Sequence, residues 1–140
     1  MACFVCHTNW PCRGVDNQYL EELMHVHNCA AIWEYHPDST SHVAWLAEME
    51  RVDTDDLIFM FANAKSGHSG IIAVGKAMGP QQGPIIPMQL RPDWDGTEWI
   101  VPVEWLIWDT ANPYPFTARN ATFYECDPEQ EAQIRTHFNV

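Results

Sequence analysis

Basic residues are scarce in this chain of 140 residues: 7 Lys and Arg stand against 19 Asp and Glu, a formal net charge of −12 at pH 7. Such a charge opposes non-specific attraction to a phosphate backbone, so any contact with nucleic acid has to be made locally. The sequence also lacks an apolar run of the roughly 20 residues that a membrane helix needs. Residues 1–5 have neither the basic part nor the long apolar part of a secretion signal, so we expect a cytoplasmic protein without a membrane partner.

Internal repeats, low-complexity tracts and sharp shifts in composition are missing as well, so no linker is expected. A chain of this length fits one domain, and we expect residues 1–140 to form it. Apolar and aromatic residues are abundant: 46% of the residues are hydrophobic, and there are seven Trp and ten Pro. This composition excludes a disordered chain or a coiled coil and indicates a turn-rich globular fold.

Five cysteines are an odd number, and without a secretion signal we expect them to be reduced thiols. The spacing of Cys3 and Cys6 matches a zinc knuckle, and with His7 it also spells the attachment string of a c-type haem. Residues 2–8 have the pattern of a strand, however, and alternation then points the two thiols to opposite faces. We therefore expect buried cysteines and no cofactor, with a structural zinc site in this Cys/His-rich segment as the alternative.

Hydrophobic periodicity predicts the order β-α-β-α-β-β-long loop-β-β-α. The predicted strands cover residues 2–8, 30–35, 57–63, 70–78, 97–108 and 120–126. The predicted helices begin after Asp16, near Val43 and after Asp127, and the first is expected to bury Leu20, Leu23, Met24 and His27. Short strands with helices early and late in the chain favour an α+β barrel-like domain over a doubly wound sheet.

Glycine and proline positions refine this outline. Residues 79–96 hold four prolines and three glycines, which indicates a flap that covers or shapes a site. In the strand 97–108, Pro102 lacks a ladder donor and predicts an edge or a bulge. Residues 70–77 superficially spell a phosphate-binding loop, but an alanine stands where Ser or Thr would bind magnesium. Because these residues are strand formers, we expect Gly70 and Gly75 to mark a turn and a close backbone approach.

Four segments carry a resemblance to a known family: residues 30–35 (AAIWEY), 55–61 (DDLIFMF), 70–77 (GIIAVGKA) and 99–105 (WIVPVEW). An aromatic strand, a helix, a tight turn into an apolar strand and a returning Gly-Ile-x-Ala-x-Gly strand resemble the EVE-type members of the PUA-like superfamily. Where that family usually has Gly in the turn, this chain has Asp55. The resemblance implies a PUA-like pseudobarrel of about six strands, with two early helices and a C-terminal helix. It also implies an end pocket in which aromatic rings sandwich a modified base flipped out of DNA or RNA.

Position and chemistry select candidate residues for such a pocket. A base offers two π-faces and a hydrogen-bonding edge, and stacking contributes ~1–3 kcal/mol per base. The candidate walls are Trp10, Trp33, Tyr35 and Phe61; Asn9 and Asn63 offer donors and acceptors to a base edge, and Lys65 and His68 offer positive charge to a flanking phosphate. The alternative for each strand aromatic is a place in the core, and for each Asn a place in a turn.

Three classes of function are compatible with these features. The first is a binding module that recognises a modified nucleobase or nucleotide, free or within DNA or RNA, in an aromatic cage. The second is a small hydrolase, because related PUA-like ASCH proteins include amidohydrolases of acylated cytidine, and Lys76 and Glu104 lie on neighbouring predicted strands. The third is a regulatory domain whose acidic surface binds a basic protein partner. We favour the first.

Overall fold

The computed structural model describes residues 1–7, 17–34, 41–62, 69–86, 88–92, 96–119 and 121–140. Its strands are β1 (Cys3–His7), β2 (Cys29–Glu34), β3 (Leu57–Ala62), β4 (Gly70–Ala77), β5 (Gln82–Ile85), β6 (Thr97–Trp108) and β7 (Phe123–Glu125). Its helices are α1 (Asn17–Val26), α2 (Ser41–Met49) and α3 (Pro128–Phe138). This part of the chain is α+β, as predicted. None of the helices within it is long and apolar enough to cross a membrane.

The strands form one mixed sheet in the order β2-β6-β4-β3-β1-β7, and β5 pairs with β6 as well. All neighbours are antiparallel except β1 and β3, which run parallel with His7 opposite Phe61. The sheet curls into a half-barrel. The curl brings β1 close to β2, although the two strands are not ladder neighbours. The Cys6 thiol lies against the backbone of Ala31 and near Cys29. Burial raises the pKa of Cys6 to about 12.

Alternation along β1 and β3 divides the core into two clusters on opposite faces of these strands. The first, called the Met60 cluster, includes Phe4, Cys6, Ile58, Met60, all the apolar residues of β2, and Leu20 and Met24 from α1. The second, called the Phe59 cluster, includes Cys3, Val5, Leu57, Phe59, Phe61 and Ile134 from α3. Cys3 and Cys6 therefore point to opposite faces, as the alternation of the predicted strand requires. Cys3, Cys6, Cys29 and Cys126 are buried free thiols.

The α3 helix begins as its sequence predicts. The Asp127 carboxylate accepts hydrogen bonds from the backbone N–H groups of Glu129, at 2.8 Å, and Gln130, at 3.4 Å, and Pro128 is the first helical residue. This is an N-cap that satisfies two of the free donors of the first turn. Ile134 is fully buried and Phe138 is partly buried against the Phe59 cluster, so α3 covers that face of β1 and β3.

Three details of the predicted outline are wrong. The loop predicted over residues 79–96 contains β5, which pairs Gln82 with Ile100, and this added strand is off the main path of the sheet. The last strand, predicted over residues 120–126, covers only Phe123–Glu125. In α1, Leu20 and Met24 are buried but His27 is exposed, because the helix ends at Val26 before the periodic pattern does.

The β6 strand has the predicted bounds, but Pro102 lies neither at a sheet edge nor at the bulge. Its carbonyl accepts the backbone N–H of Met78, just after β4 ends and before β5 begins. Pro102 has no N–H to return a hydrogen bond to Met78, so only this one pair, in the gap between two partner strands, lacks its second hydrogen bond. The irregularity in the β4–β6 pairing lies further along, between Val74 and Gly75.

Both glycines of β4 mark close approaches, as predicted. Gly70 has φ of +129°, and a side chain there would collide with the backbone carbonyl of Tyr114. Gly75 lies under the ring of Trp105, whose Cε3 would be 2.7 Å from a Cβ at this position. The backbone N–H groups of β4 are used in the ladders with β3 and β6, so residues 70–77 do not form a phosphate-binding loop.

Candidate functional site

The carboxyl ends of β1 and β3 lie side by side, and we call this place the β1–β3 edge, defined by His7, Phe61 and Ala62. The parallel register puts His7 opposite Phe61. The two rings contact each other edge to face, with centroids 4.6 Å apart and planes at 87°. Phe116 lies on the other side of Phe61, with centroids 6.0 Å apart. A histidine thus ends β1 inside an aromatic setting, with only 6% of its surface exposed.

The imidazole of His7 is held neutral by its surroundings. Within the described ranges, neither ring nitrogen has a hydrogen-bond partner. Burial lowers the pKa of His7 below 6.5, and the nearby backbone carbonyls of Arg119 and Ala121 offset only part of this effect. A neutral imidazole carries one N–H donor and one acceptor nitrogen. The edge of a nucleobase likewise carries both donors and acceptors, so the two can form matched hydrogen bonds.

The β1–β3 edge is where the chain segments with most of the predicted ligand residues leave the sheet. Asn9 and Trp10 follow shortly after His7, and Asn63 comes directly after Ala62. The predicted residues Asn9, Trp10, Tyr35, Asn63, Lys65 and His68 lie outside the described residues. The structure fixes the residues that precede the segments 8–16 and 63–68, and it places them next to each other.

Trp33 lies at the centre of a second polar group, away from that edge. It is fully buried, and its indole Nε1–H donates to Oε2 of Glu98 at 2.6 Å. The Glu98 carboxylate is also fully buried and accepts the backbone N–H groups of Gln89 and Leu90, each at 3.2 Å. The guanidinium of Arg91 lies over the Trp33 ring, 5.7 Å from its centroid. We call this set of residues the Trp33–Glu98 group.

The described part of the predicted flap covers the Trp33–Glu98 group. Met88 and Arg91 are each only 1% exposed, and the amides between them are bound by Glu98. A buried charge is tolerated only when several hydrogen bonds satisfy it, and this carboxylate has three donors within the described ranges. The group therefore fastens the segment that follows β5 onto the sheet.

Trp33 and Phe61 do not face one common cavity, which corrects the expectation that both rings form walls of a single cage. Trp33 packs in the Met60 cluster and Phe61 in the Phe59 cluster, on the other face of the sheet. The physical reason is the strict alternation of β3, which points Phe61 away from its neighbours Met60 and Ala62. Of the predicted ligand residues in the described ranges, Phe61 alone lies at the β1–β3 edge.

Sequence reasoning missed Glu98, Arg91 and His7 as candidate residues. Glu98 leaves a signal, because it is an acidic residue inside an apolar strand directly opposite Trp33. His7 leaves a weaker one, as a polar residue that ends a buried strand. Arg91 gives no signal, because it follows an irregular Pro-rich segment in which burial has no sequence pattern.

Lys76 and Glu104, the residues considered for a hydrolase, are directly opposite each other on β4 and β6. Both are in contact with solvent, and the Lys76 ammonium lies 3.4 Å from Oδ1 of Asp55, which is itself exposed. Cross-strand and turn ion pairs of this kind are ordinary surface features. No group of three or more His, Cys, Asp or Glu side chains in the described part of the chain is arranged to hold a metal ion.

No protein-family model and no curated protein matches the chain. The features from which a function can be argued are therefore its own: the β1–β3 edge, the Trp33–Glu98 group and the strongly negative charge.

Proposed function

We propose that this chain is a binding module for a modified nucleobase or nucleotide, and that the ligand binds at the β1–β3 edge. The observation that carries the proposal is the parallel register of His7 with Phe61. Because of this register, two chain segments begin side by side. One contains Asn9 and Trp10, and the other contains Asn63, Lys65 and His68. The groups proposed for stacking, for the base edge and for a phosphate thus come in the sequence directly after two neighbouring strand ends.

The chemistry of the edge suits a base better than it suits a simple anion. Phe61 supplies an aromatic surface, and the neutral His7 supplies one donor and one acceptor at a buried position. A flipped or free base requires π-surface and a small number of matched polar groups, with water kept out. A simple anion would instead require positive charge, and the imidazole here is uncharged at neutral pH.

Two features of the fold support the resemblance to EVE-type PUA-like domains that motivates this proposal. The sheet is a curled mixed sheet with helices early and late in the chain, as such a pseudobarrel would have. Asp55, at the turn where that family usually has Gly, has φ of +75°. This is the left-handed region in which glycine is ordinarily favoured and Asp is tolerated, so the backbone of this turn would also accept a glycine.

The experiment is a binding titration of the whole chain with a panel of modified nucleosides and their unmodified parents, followed by Trp fluorescence and calorimetry. We expect one class of modified nucleoside to bind and to quench fluorescence. Trp10→Ala and Asn63→Ala should each weaken that binding by about tenfold or more, because each removes a stacking or base-edge partner.

Asn112→Ala is the matched control for Asn63→Ala, because Asn112 is exposed in the bend after β6, where its backbone N–H donates to Oδ1 of Asp109. We expect this variant to bind like the unmodified protein. The proposal fails if no member of the panel binds, or if Asn112→Ala weakens binding as much as Asn63→Ala does.

A further inference from the structure

Two buried cysteines oppose each other across the β1–β7 ladder. The antiparallel register pairs Phe4 with Glu125 and Val5 with Tyr124, so the next pair along it is Cys3 with Cys126. The backbone N–H of Cys126 donates to the carbonyl of Cys3 at 2.7 Å, which shows that the ladder continues to this pair. Both thiols are free.

The geometry of this pair is suitable for a covalent bond. Directly opposed, hydrogen-bonded residues of antiparallel strands have Cα atoms about 5.5 Å apart, and disulfides span Cα separations of about 4.4–6.8 Å. Both side chains lie in the Phe59 cluster, so they point to the same face. Cys6 and Cys29 lie in the Met60 cluster on strands that are not ladder neighbours.

We propose that Cys3 and Cys126 form a reversible cross-strand disulfide when the folded protein meets a disulfide oxidant such as oxidised glutathione, and that Glu131 slows this reaction. The proposal is independent of the proposed binding function. One protein thiolate attacks a sulfur of oxidised glutathione, which forms a mixed disulfide and releases one glutathione thiolate. The second cysteine displaces the other glutathione. The protein loses two hydrogen atoms, and the oxidant is reduced to two molecules of glutathione.

Glu131 protects the pair in its reduced form. The Cys3 thiol donates to Oε1 of Glu131 at 2.8 Å, so the carboxylate stabilises the protonated sulfur. Burial, followed by this hydrogen bond, raises the pKa of Cys3 well above its usual range, and burial raises the pKa of Cys126 to about 12. The thiolate is the attacking species, so exchange in the folded state is slow although the product fits the ladder.

The disulfide would tie the start of α3 to β1. Cys126 directly precedes the N-cap of α3, and β1 carries His7 at its other end. Oxidation would therefore add a covalent link between β1 and β7 to the hydrogen bonds of their ladder. It would also remove the thiol that donates to the Glu131 carboxylate.

The test equilibrates the whole folded chain with mixtures of reduced and oxidised glutathione at mildly alkaline pH, blocks the remaining thiols by alkylation, and maps the peptides. Chymotryptic cleavage after Phe4 separates Cys3 from Cys6 and Cys12. We expect a peptide pair linked through Cys3 and Cys126, reversed by added reduced glutathione, while Cys6 and Cys29 are recovered alkylated. Cys126→Ser should abolish the link.

Glu131→Gln should speed the formation of the link several-fold, because an uncharged amide no longer favours the protonated thiol. Glu129→Gln is the matched control, since Glu129 lies in the same first turn but is exposed, and its rate should not change. The proposal is overturned if circular dichroism shows folded protein while Cys3 and Cys126 remain separate, or if they link only to other cysteines. The mapping of the unsubstituted chain decides this even if Cys126→Ser fails to fold.

Discussion

Two indole N–H groups of this protein have acceptors of different charge. Trp33 donates to the buried carboxylate of Glu98 at 2.6 Å, whereas Trp105 donates to the neutral backbone carbonyl of Met24 at 3.1 Å. Hydrogen bonds to charged groups contribute about 1.5–3 kcal/mol, against about 0.5–1.5 kcal/mol for neutral ones. The loss of the Trp33 donor also leaves a fully buried carboxylate with one partner fewer, which adds a desolvation penalty.

Replacing each indole by a phenyl ring therefore tests the importance of the Trp33–Glu98 group. We expect Trp33→Phe to lower the free energy of unfolding by about 2–3 kcal/mol and Trp105→Phe by about 1 kcal/mol, as measured by urea denaturation. Both substitutions remove similar volume, but Trp33 is fully buried and Trp105 only partly, so the difference reports the acceptor together with the cavity left at the buried site. Equal losses would show that the carboxylate adds nothing beyond a neutral acceptor.

His7 makes the stability of the protein depend on pH near neutrality. Burial lowers its pKa in the folded state below 6.5, so the unfolded chain takes up a proton at this residue while the folded chain does not. The stability from this residue is fully present above pH 6.5 and is lost as the pH falls below it. When one proton is taken up on unfolding, the free energy of unfolding falls by at most about 1.4 kcal/mol for each pH unit.

We expect His7→Gln to flatten the decline in unfolding free energy that the unsubstituted protein shows as the pH falls below 6.5. Urea unfolding at a series of pH values measures this slope for each variant. Only the slopes are compared, so a loss of stability that is the same at every pH does not affect the result. His27→Gln is the control, because His27 is exposed. A decline in His7→Gln as steep as in the unsubstituted protein would contradict the assignment.

At the scale of elements, long and strongly patterned segments could be predicted and short ones could not. The β6 strand has its predicted bounds because eight of its twelve residues are large and apolar: Trp99, Ile100, Val101, Val103, Trp105, Leu106, Ile107 and Trp108. The β5 strand could not be predicted: its sequence, QGPI, has no alternation and contains a proline, and it pairs because Trp99 packs over Gly83. Its existence depends on tertiary contacts that no local pattern encodes.

The candidate site was predictable to the same limited degree. Aromatic content and the resemblance directed attention to Trp33 and Phe61, but which face each ring occupies depends on strand register. The pairing of β1 with β3 and of β2 with β6 sets that register, and neither pairing has a local sequence signal. The same holds for Glu98, which is important only because β2 and β6 place it opposite Trp33.

Gly75 is the residue of β4 that leaves room for the Trp105 ring of β6 to lie over the β4 backbone. A methyl group at this position would collide with Val103 and lie 2.7 Å from Cε3 of Trp105. We expect Gly75→Ala to lower the free energy of unfolding by about 1–3 kcal/mol, the usual range for overpacking. Gly79→Ala is the control, because the nearest atom to its Cβ would be Cγ of Pro102 at an ordinary 3.5 Å. Equal stability of the two variants, measured by thermal unfolding, would contradict this packing.

At the scale of the whole molecule, the charge of −12 determines how salt acts on the proposed binding. A free nucleoside is uncharged, so its affinity should not depend on ionic strength. An oligonucleotide that carries the same base is repelled by the protein as a whole, and salt screens this repulsion, since the Debye length falls from about 30 Å at 0.01 M to about 10 Å at 0.1 M.

We therefore expect the affinity for the oligonucleotide to rise with salt over this range, which is the reverse of the counterion release that weakens typical nucleic-acid binding in salt. Fluorescence anisotropy with a labelled oligonucleotide, beside calorimetry with the nucleoside, measures both trends. Lys65→Ala should make the rise steeper, because it removes one of the few cations that offset the repulsion. If the affinity for the oligonucleotide instead falls steeply with salt, local basic contacts outweigh the net charge and the ligand is read within a polymer. If neither trend appears because only the nucleoside binds, the ligand is the free nucleoside, and the negative surface keeps polymers away from the site.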